Sequence, residues 1–175
     1  PIKSSAASDV YKRQFTLLAL SFVLAGCNGS KQAKTVTLGP NPFITHMYTA
    51  DPSAHVWEDG RLYVYASHDI DPPRGCDLMD RYHVFSTDDM VNWTDHGEIL
   101  NSSQVPWGRK EGGFMWAPDC AYKDGTYYFY FPHPSDTKWN DSWKIGVATS
   151  KEPAANFTVQ GYIEGMDPLI DPCVF

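Results

Sequence analysis

Two short, continuous runs of aromatic and β-branched residues stand out in the apolar pattern of this chain: Leu62-Tyr63-Val64-Tyr65-Ala66 and Tyr127-Tyr128-Phe129-Tyr130. Runs of this length and composition, bounded by turn residues, read as strands. Each follows an Asp-Gly pair, Asp59-Gly60 in the first case and Asp124-Gly125 in the second. Asp-Gly is a two-residue hairpin signal, because a type I′ turn needs φ > 0 at both central positions. Ahead of each turn lies a short extended stretch that opens on a proline, Pro52 or Pro118. Proline lacks an N–H and is tolerated at the first residue of a strand. The first copy has one extra residue between proline and turn.

The similarity continues downstream. Ser86, Asn92, Trp93, Thr94 and Gly97 correspond to Ser150, Asn156, Phe157, Thr158 and Gly161, all at one constant offset. A third copy begins at Ile170-Asp171-Pro172. Each unit therefore holds two hairpins, or four short strands. A repeat of roughly 50 to 65 residues with four strands per unit points to the blade of a β-propeller. One blade alone cannot bury both of its faces, and an aromatic share of 14% supplies the side chains that fill the space between blades. A β-sandwich with two similar hairpin pairs is the alternative, and five matches at one offset favour the blade. The expected fold class is all-β, with the first two blades and the start of a third.

The N-terminal part reads differently. Residues 1–14 lack an initiator Met, and Asp9 to Gln14 resembles a translated sequencing-library adapter, so they are set aside as non-native. Phe15 to Ala25 is an apolar run too short to span a bilayer, which takes about 20 residues. Its length suits the apolar region of a secretory signal. It ends in Leu24-Ala25-Gly26-Cys27, which resembles a bacterial lipobox with Cys27 as the lipidated residue. The expected organisation is a lipoprotein signal over 15–27, a polar tether over 28–40 and a truncated propeller domain over 41–175. The expected location is the bacterial cell envelope, reached through a lipid anchor.

Charge and cysteine usage narrow the function. A net charge of −7, with no basic aromatic stripe and no Gly-rich phosphate loop, argues against nucleic acid as a partner. Beyond Cys27, the remaining cysteines Cys76, Cys120 and Cys173 are odd in number and imply no complete disulfide framework. Cys120 and Cys173 hold equivalent early-strand positions and are expected to be small buried hydrophobes. His55, His68 and His133 follow strand positions and are expected to be satisfied strand or loop histidines, with a place near the site as the alternative. No histidine pair has a zinc-like spacing.

The candidate chemistry lies in carboxylates. Residues that start equivalent inner strands gather at one end of a propeller axis. Asp51 and Asp171 each stand immediately before a proline, in the first and third units, where the second unit has Ala117. Two carboxylates facing one pocket suit glycoside hydrolysis, in which an acid protonates the leaving oxygen and a second carboxylate activates water or attacks the sugar. The alternative is that Asp-Pro serves only as a turn dipeptide.

Three motifs, in order, carry a family resemblance: Tyr48-Thr49-Ala50-Asp51-Pro52, Gly113-Phe114-Met115-Trp116-Ala117-Pro118-Asp119 and Ile170-Asp171-Pro172. Together they resemble glycoside hydrolase family 43, from about Asn41 onward. The resemblance implies a five-bladed propeller that cleaves xylose- or arabinose-containing glycans with inversion. It implies that Asp51 is the general base and that Asp171 raises the pKa of the general acid and orients it. Trp116 would line the sugar pocket, and packing between blades is its other role. The family's general acid is a Glu of the fourth blade, beyond Phe175, and Glu58, Glu98, Glu111 and Glu164 do not match its context. No cofactor is expected, although an axial calcium in the full-length protein would fit the resemblance. A non-catalytic glycan-binding propeller and a related retaining glycosidase remain alternatives. The stretch from His68 to Arg81 is expected to shape the pocket rim.

Overall fold

The computed structural model describes residues 34–37, 42–71, 75–138 and 141–175. The predicted signal segment, including Cys27, lies outside them. The described chain is all-β apart from two short helical turns. Strands β1 (Lys34–Thr37), β2 (Tyr48–Val56), β3 (Leu62–Asp69), β4 (Arg81–Thr87) and β5 (Asn92–Asn101) build one sheet. Strands β6 (Asp119–Lys123), β7 (Thr126–Pro134), β8 (Trp143–Ser150) and β9 (Thr158–Tyr162) build the second. The second sheet is ordered β6-β7-β8-β9, and the first β1-β5-β4-β3-β2. Every pairing is antiparallel. These are the two four-stranded blades predicted from the repeat. The first carries an additional outer strand, β1, from within the stretch expected to be a tether. Helix α1 (Gly75–Leu78) sits in the connection between β3 and β4.

Alternation along the strands sorts the core. Tyr63 and Tyr65 of β3 and Tyr82 and Val84 of β4 face the second sheet, where they meet Cys120, Phe129, Phe131, Ala148 and Phe157. Val64, Phe85 and Trp93 point to the other face of the first sheet, under Phe43, Ile44 and Met47. Phe43 stacks on Trp93 with ring centroids 3.8 Å apart. Fully burying a side chain of this kind stabilises the fold by roughly 1.5–3 kcal/mol. The two blades are also stitched by hydrogen bonds, such as Tyr65 Oη to the Pro153 carbonyl at 2.6 Å.

The matched downstream positions have a structural meaning. Trp93 and Phe157 are equivalent core residues, 6% and 5% exposed. Gly97 and Gly161 both have positive φ, and both lie where the register of the last strand slips by one residue against its neighbour. Each is thus a β-bulge, a site where glycine relieves the steric cost of the turn in the backbone. The two Asp-Gly turns differ from each other. At Asp124-Gly125 both φ values are positive (50° and 71°), and Lys123 pairs with Thr126, as a type I′ turn requires. In the first hairpin only Gly60 has positive φ (79°), and the loop closes through Gly60 N–H to the Trp57 carbonyl at 3.0 Å. The extra residue of the first copy is accommodated there, so the two-residue turn expected at Asp59-Gly60 is replaced by a longer loop.

Two cysteine expectations part company. Cys120 is fully buried, whereas Cys173 is exposed. Counted from the prolines, Cys173 is the counterpart of Asp119 and not of Cys120, and no strand is formed over 170–175, so no sheet neighbour covers its side chain.

Candidate active site

Both aspartates of the Asp-Pro dipeptides adopt the left-handed region, Asp51 with φ 49° and Asp171 with φ 55°. Asp51 sits in β2 where the pairing with β3 shifts between Ala50 and Ser53. The irregularity takes the aspartate out of the ladder. Non-glycine residues with positive φ are uncommon and cluster at functional sites. The segments that follow the prolines converge. Asp51, Ser53, Ala117, Asp119, Pro172 and Val174 are among the residues that line one cleft of about 400 Å³. Asp171 lines an adjoining hollow with Tyr130 and Ile145. Equivalent positions of three units are therefore gathered at one end of the sheets.

The charge of Asp171 acts on Asp51. The Asp51 carboxyl is raised above its ordinary pKa, first by burial, then by the charge of Asp171 and then by that of Asp69. Asp69 ends β3 and pairs with Tyr48, three positions before Asp51 along β2. The Asp51 charge also reaches the fully buried Tyr82, whose phenol is pushed well above its usual pKa by burial and then by that charge. Tyr82 Oη donates to the Trp116 carbonyl at 2.7 Å. It thereby fixes the strap that carries the third candidate residue.

Trp116 is held on three sides. Its ring lies 4.5 Å from that of Trp143 and 5.9 Å from that of Phe114. Its indole N–H donates to the Cys76 carbonyl at 2.7 Å, and Met115 N–H donates to the Met79 carbonyl at 3.0 Å. The stretch between His68 and Arg81 thus docks on the strap around Trp116, consistent with a rim element. This docking needs glycine. Gly113 has φ 75°, and a Cβ there would lie 2.3 Å from the Asp77 carbonyl oxygen.

The histidines resolve into separate roles. His55 donates from Nε2 to Asp119 at 2.6 Å, and His68 Nδ1 meets Asp80 at 2.7 Å, so both are satisfied as expected. His133 departs from that expectation: it is fully buried at the end of β7, and neither ring nitrogen has a hydrogen-bond partner among the described residues. Its imidazole pKa is lowered to about 4, chiefly by burial. Glu58 accepts from Tyr122 Oη, Glu98 from Arg81 and Asn101, and Glu111 pairs with Arg109. Among the described residues, no group of three or more His, Cys, Asp or Glu side chains is arranged to hold a metal ion.

Residues missed in the sequence are Asp69, Tyr82 and Asp119. Asp119 alone left a signal there. In the second unit the carboxylate follows the proline, where the other units place Ser53 and Cys173. It is 5% exposed, so it is a buried carboxylate.

The chain is 43% identical over 144 residues to a protein named Xylosidase/arabinosidase 43A from Humicola insolens, covering 77% of this chain and 42% of that one. It is 38% identical over 136 residues to a Xylosidase/arabinosidase from Bacteroides ovatus, covering 73% and 40%. Among solved structures it is similar to a GH43 beta-xylosidase/alpha-arabinofuranosidase from a compost microbial metagenome, crystallised with xylotriose in a calcium-free form. That match has a TM-score of 0.61 at 41% identity and covers 76% of this chain and 40% of the other. The chain spans about two fifths of the length of these relatives. Residues 40–175 match the family described as Glycosyl hydrolases family 43, a span that takes in both blades and all three motifs. The chain belongs to glycosyl hydrolases family 43.

Proposed function

We propose that the complete domain built on this chain hydrolyses glycosidic bonds in xylose- or arabinose-containing plant glycans, with inversion at the anomeric carbon. The observation that carries the reading is the joining of Asp51 and Asp171 from equivalent positions of two units, close enough for one charge to raise the pKa of the other. The names of the relatives support the substrate class.

Asp51 acts as general base. Its ionised carboxylate takes a proton from a water on the face of the sugar opposite the leaving group, and the water oxygen bonds to the anomeric carbon as the glycosidic bond breaks. The leaving oxygen takes its proton from a glutamic acid outside this chain. In inverting enzymes the base and acid carboxyls stand about 6.5–9.5 Å apart to leave room for the water. Asp171 supplies negative charge that keeps the acid protonated and orients it. Trp116 offers an aromatic wall to the sugar, and its hydrogen bonds and ring contacts hold that wall in place.

The Asp51–Asp171 coupling gives a test with a definite sign. A like charge disfavours ionisation of its neighbour. Removing the charge in Asp171→Asn lowers the pKa of Asp51, so the base becomes competent at lower pH and the acid limb of the rate profile moves down. The same loss lowers the pKa of the general acid, so the alkaline limb moves down as well. Profiles of kcat/KM on aryl β-xylosides and α-L-arabinofuranosides should show the whole bell displaced towards acid. A variant whose limbs stay in place, or move apart, would count against the pairing. Substrate binding without turnover by the wild-type domain would favour a glycan-binding propeller instead.

The reading extends to location. Cys27, at the end of Leu24-Ala25-Gly26, is the lipid attachment site of an envelope lipoprotein. The bacterial protein should partition into detergent and incorporate a radioactive fatty acid. Cys27→Ala should release it to the soluble fraction, and unchanged partitioning of that variant would sink the idea.

A further inference from the structure

The cleft contains a carboxylate that the hydrolytic scheme does not use. Asp119 opens β6, is 5% exposed, and its two oxygens reach three units of the chain. Its Oδ1 accepts from Ser53 Oγ, from His55 Nε2 at 2.6 Å and from Cys120 N–H at 2.8 Å. Its Oδ2 accepts from the backbone N–H of Val174 at 2.6 Å. Ser53 and His55 also contact each other at 2.9 Å, and the His55 ring stacks on Trp57. Ser53 lies two residues beyond Asp51, and Val174 three residues beyond Asp171. Segment 170–175 forms no strand, and its Val174 N–H is tied to this carboxylate.

We infer that Asp119 is a positioning residue for the hydrolytic pair, its buried carboxylate clamping the backbone that carries Asp171 onto the strand that carries Asp51. The inference rests on the assignment of that pair in the proposed function. Burying a carboxylate is costly unless it is hydrogen-bonded, and four donors to two oxygens offset that cost. Those hydrogen bonds outweigh the upward push of burial and hold Asp119 below its ordinary pKa, so it stays an acceptor throughout the working range. A neutral amide at the same place keeps one acceptor oxygen but turns the other position into a donor facing a donor. One of the two ties, to blade one or to Val174, must then break.

The distinctive readout is the ionisation of Asp51. The charged groups that act on it are Asp171 and Asp69, and the Asp51 charge in turn acts on the buried Tyr82 phenol. Asp69 is held by β3 irrespective of Asp119. Loosening the clamp therefore weakens only the Asp171 contribution.

The test uses the complete domain. Asp119→Asn should lower kcat by on the order of tenfold to a hundredfold, the penalty of a small misplacement of reacting groups. KM should change by less than about threefold, because the interaction lost acts on the transition state. The acid limb of the kcat/KM profile should move to lower pH. Ser53→Ala removes a single donor and should move the same limb in the same direction by a smaller amount, which keeps the inference testable should Asp119→Asn not fold. A purely structural Asp119 would lower thermal stability and the fraction of active protein, yet leave kcat per folded molecule and the acid limb at wild-type values. That outcome in either folded variant overturns the inference. The two layers separate cleanly. An active Asp51→Asn enzyme would mean the pair itself is misassigned. An inactive Asp51→Asn enzyme beside a wild-type profile for Ser53→Ala and Asp119→Asn would remove only the clamp.

Discussion

Replacing Asp51 by Asn in the complete domain should lower kcat by at least about a hundredfold while leaving substrate affinity nearly intact. General base catalysis contributes typically 10²–10⁴-fold. Asn keeps the size and planarity of the carboxylate and can still hydrogen-bond to water, but it accepts no proton at working pH. The positive φ of Asp51 favours the comparison, because asparagine tolerates the left-handed region as readily as aspartate does. Loss of rate in this variant therefore reads as lost chemistry and not as backbone strain. Steady-state kinetics on an aryl β-xyloside would measure it, with ligand titration to follow binding. Near-wild-type turnover would remove Asp51 from the mechanism. A parallel rise in KM with kcat unchanged would make it a binding group.

Acidification from pH 7 to pH 4 should cost the domain about 3 kcal/mol through His133 alone. The sign follows from burial. An unfolded histidine titrates near its ordinary value of 6.5, whereas in the fold the ring is neutral until about pH 4. Between those values the unfolded chain binds the proton and the folded chain does not. Stability is thus complete above about 6.5 and falls as pH drops towards 4. The cause is the enclosure of the ring, which Trp107 meets edge-on at 5.7 Å, with the Arg109 charge adding to the effect of burial. Urea unfolding of wild type and His133→Gln at pH 7 and pH 4 isolates the contribution, since all other titrating groups are shared. The variant should lose less stability on acidification by about that amount. Equal losses in the two proteins would show that His133 is not held neutral.

The blade architecture was legible because it is local and repeated. Apolar runs, Asp-Gly pairs and the constant offset from Ser86 to Gly97 all report strand, turn and bulge positions within one unit. Strand β1 was not legible. Its four residues, Lys34 to Thr37, pair with Asn92 to Asp95 far along the chain, and a short polar stretch gives no periodic signal. The first hairpin shows how one inserted residue changes a turn: the Asp-Gly dipeptide survives, while only its glycine takes positive φ.

The site was legible in the same uneven way. Asp51 and Asp171 could be paired because their dipeptides repeat. The fixation of Trp116 by the Cys76 carbonyl could not be read, since a backbone acceptor leaves no mark in the sequence. His55 was correctly expected to be satisfied, but its partner was hidden: Asp119 belongs to another unit, and its burial arises only when the units assemble.

As general base, Asp51 directs water to the face opposite the leaving group. The most direct measurement is proton NMR of the first anomer released from an aryl β-xyloside by the complete domain, recorded before mutarotation. α-Xylose is expected as the first product, with the β-anomer growing in only as mutarotation proceeds. β-Xylose as the first product would contradict it, because retention requires a covalent intermediate on a carboxylate that this mechanism assigns to water.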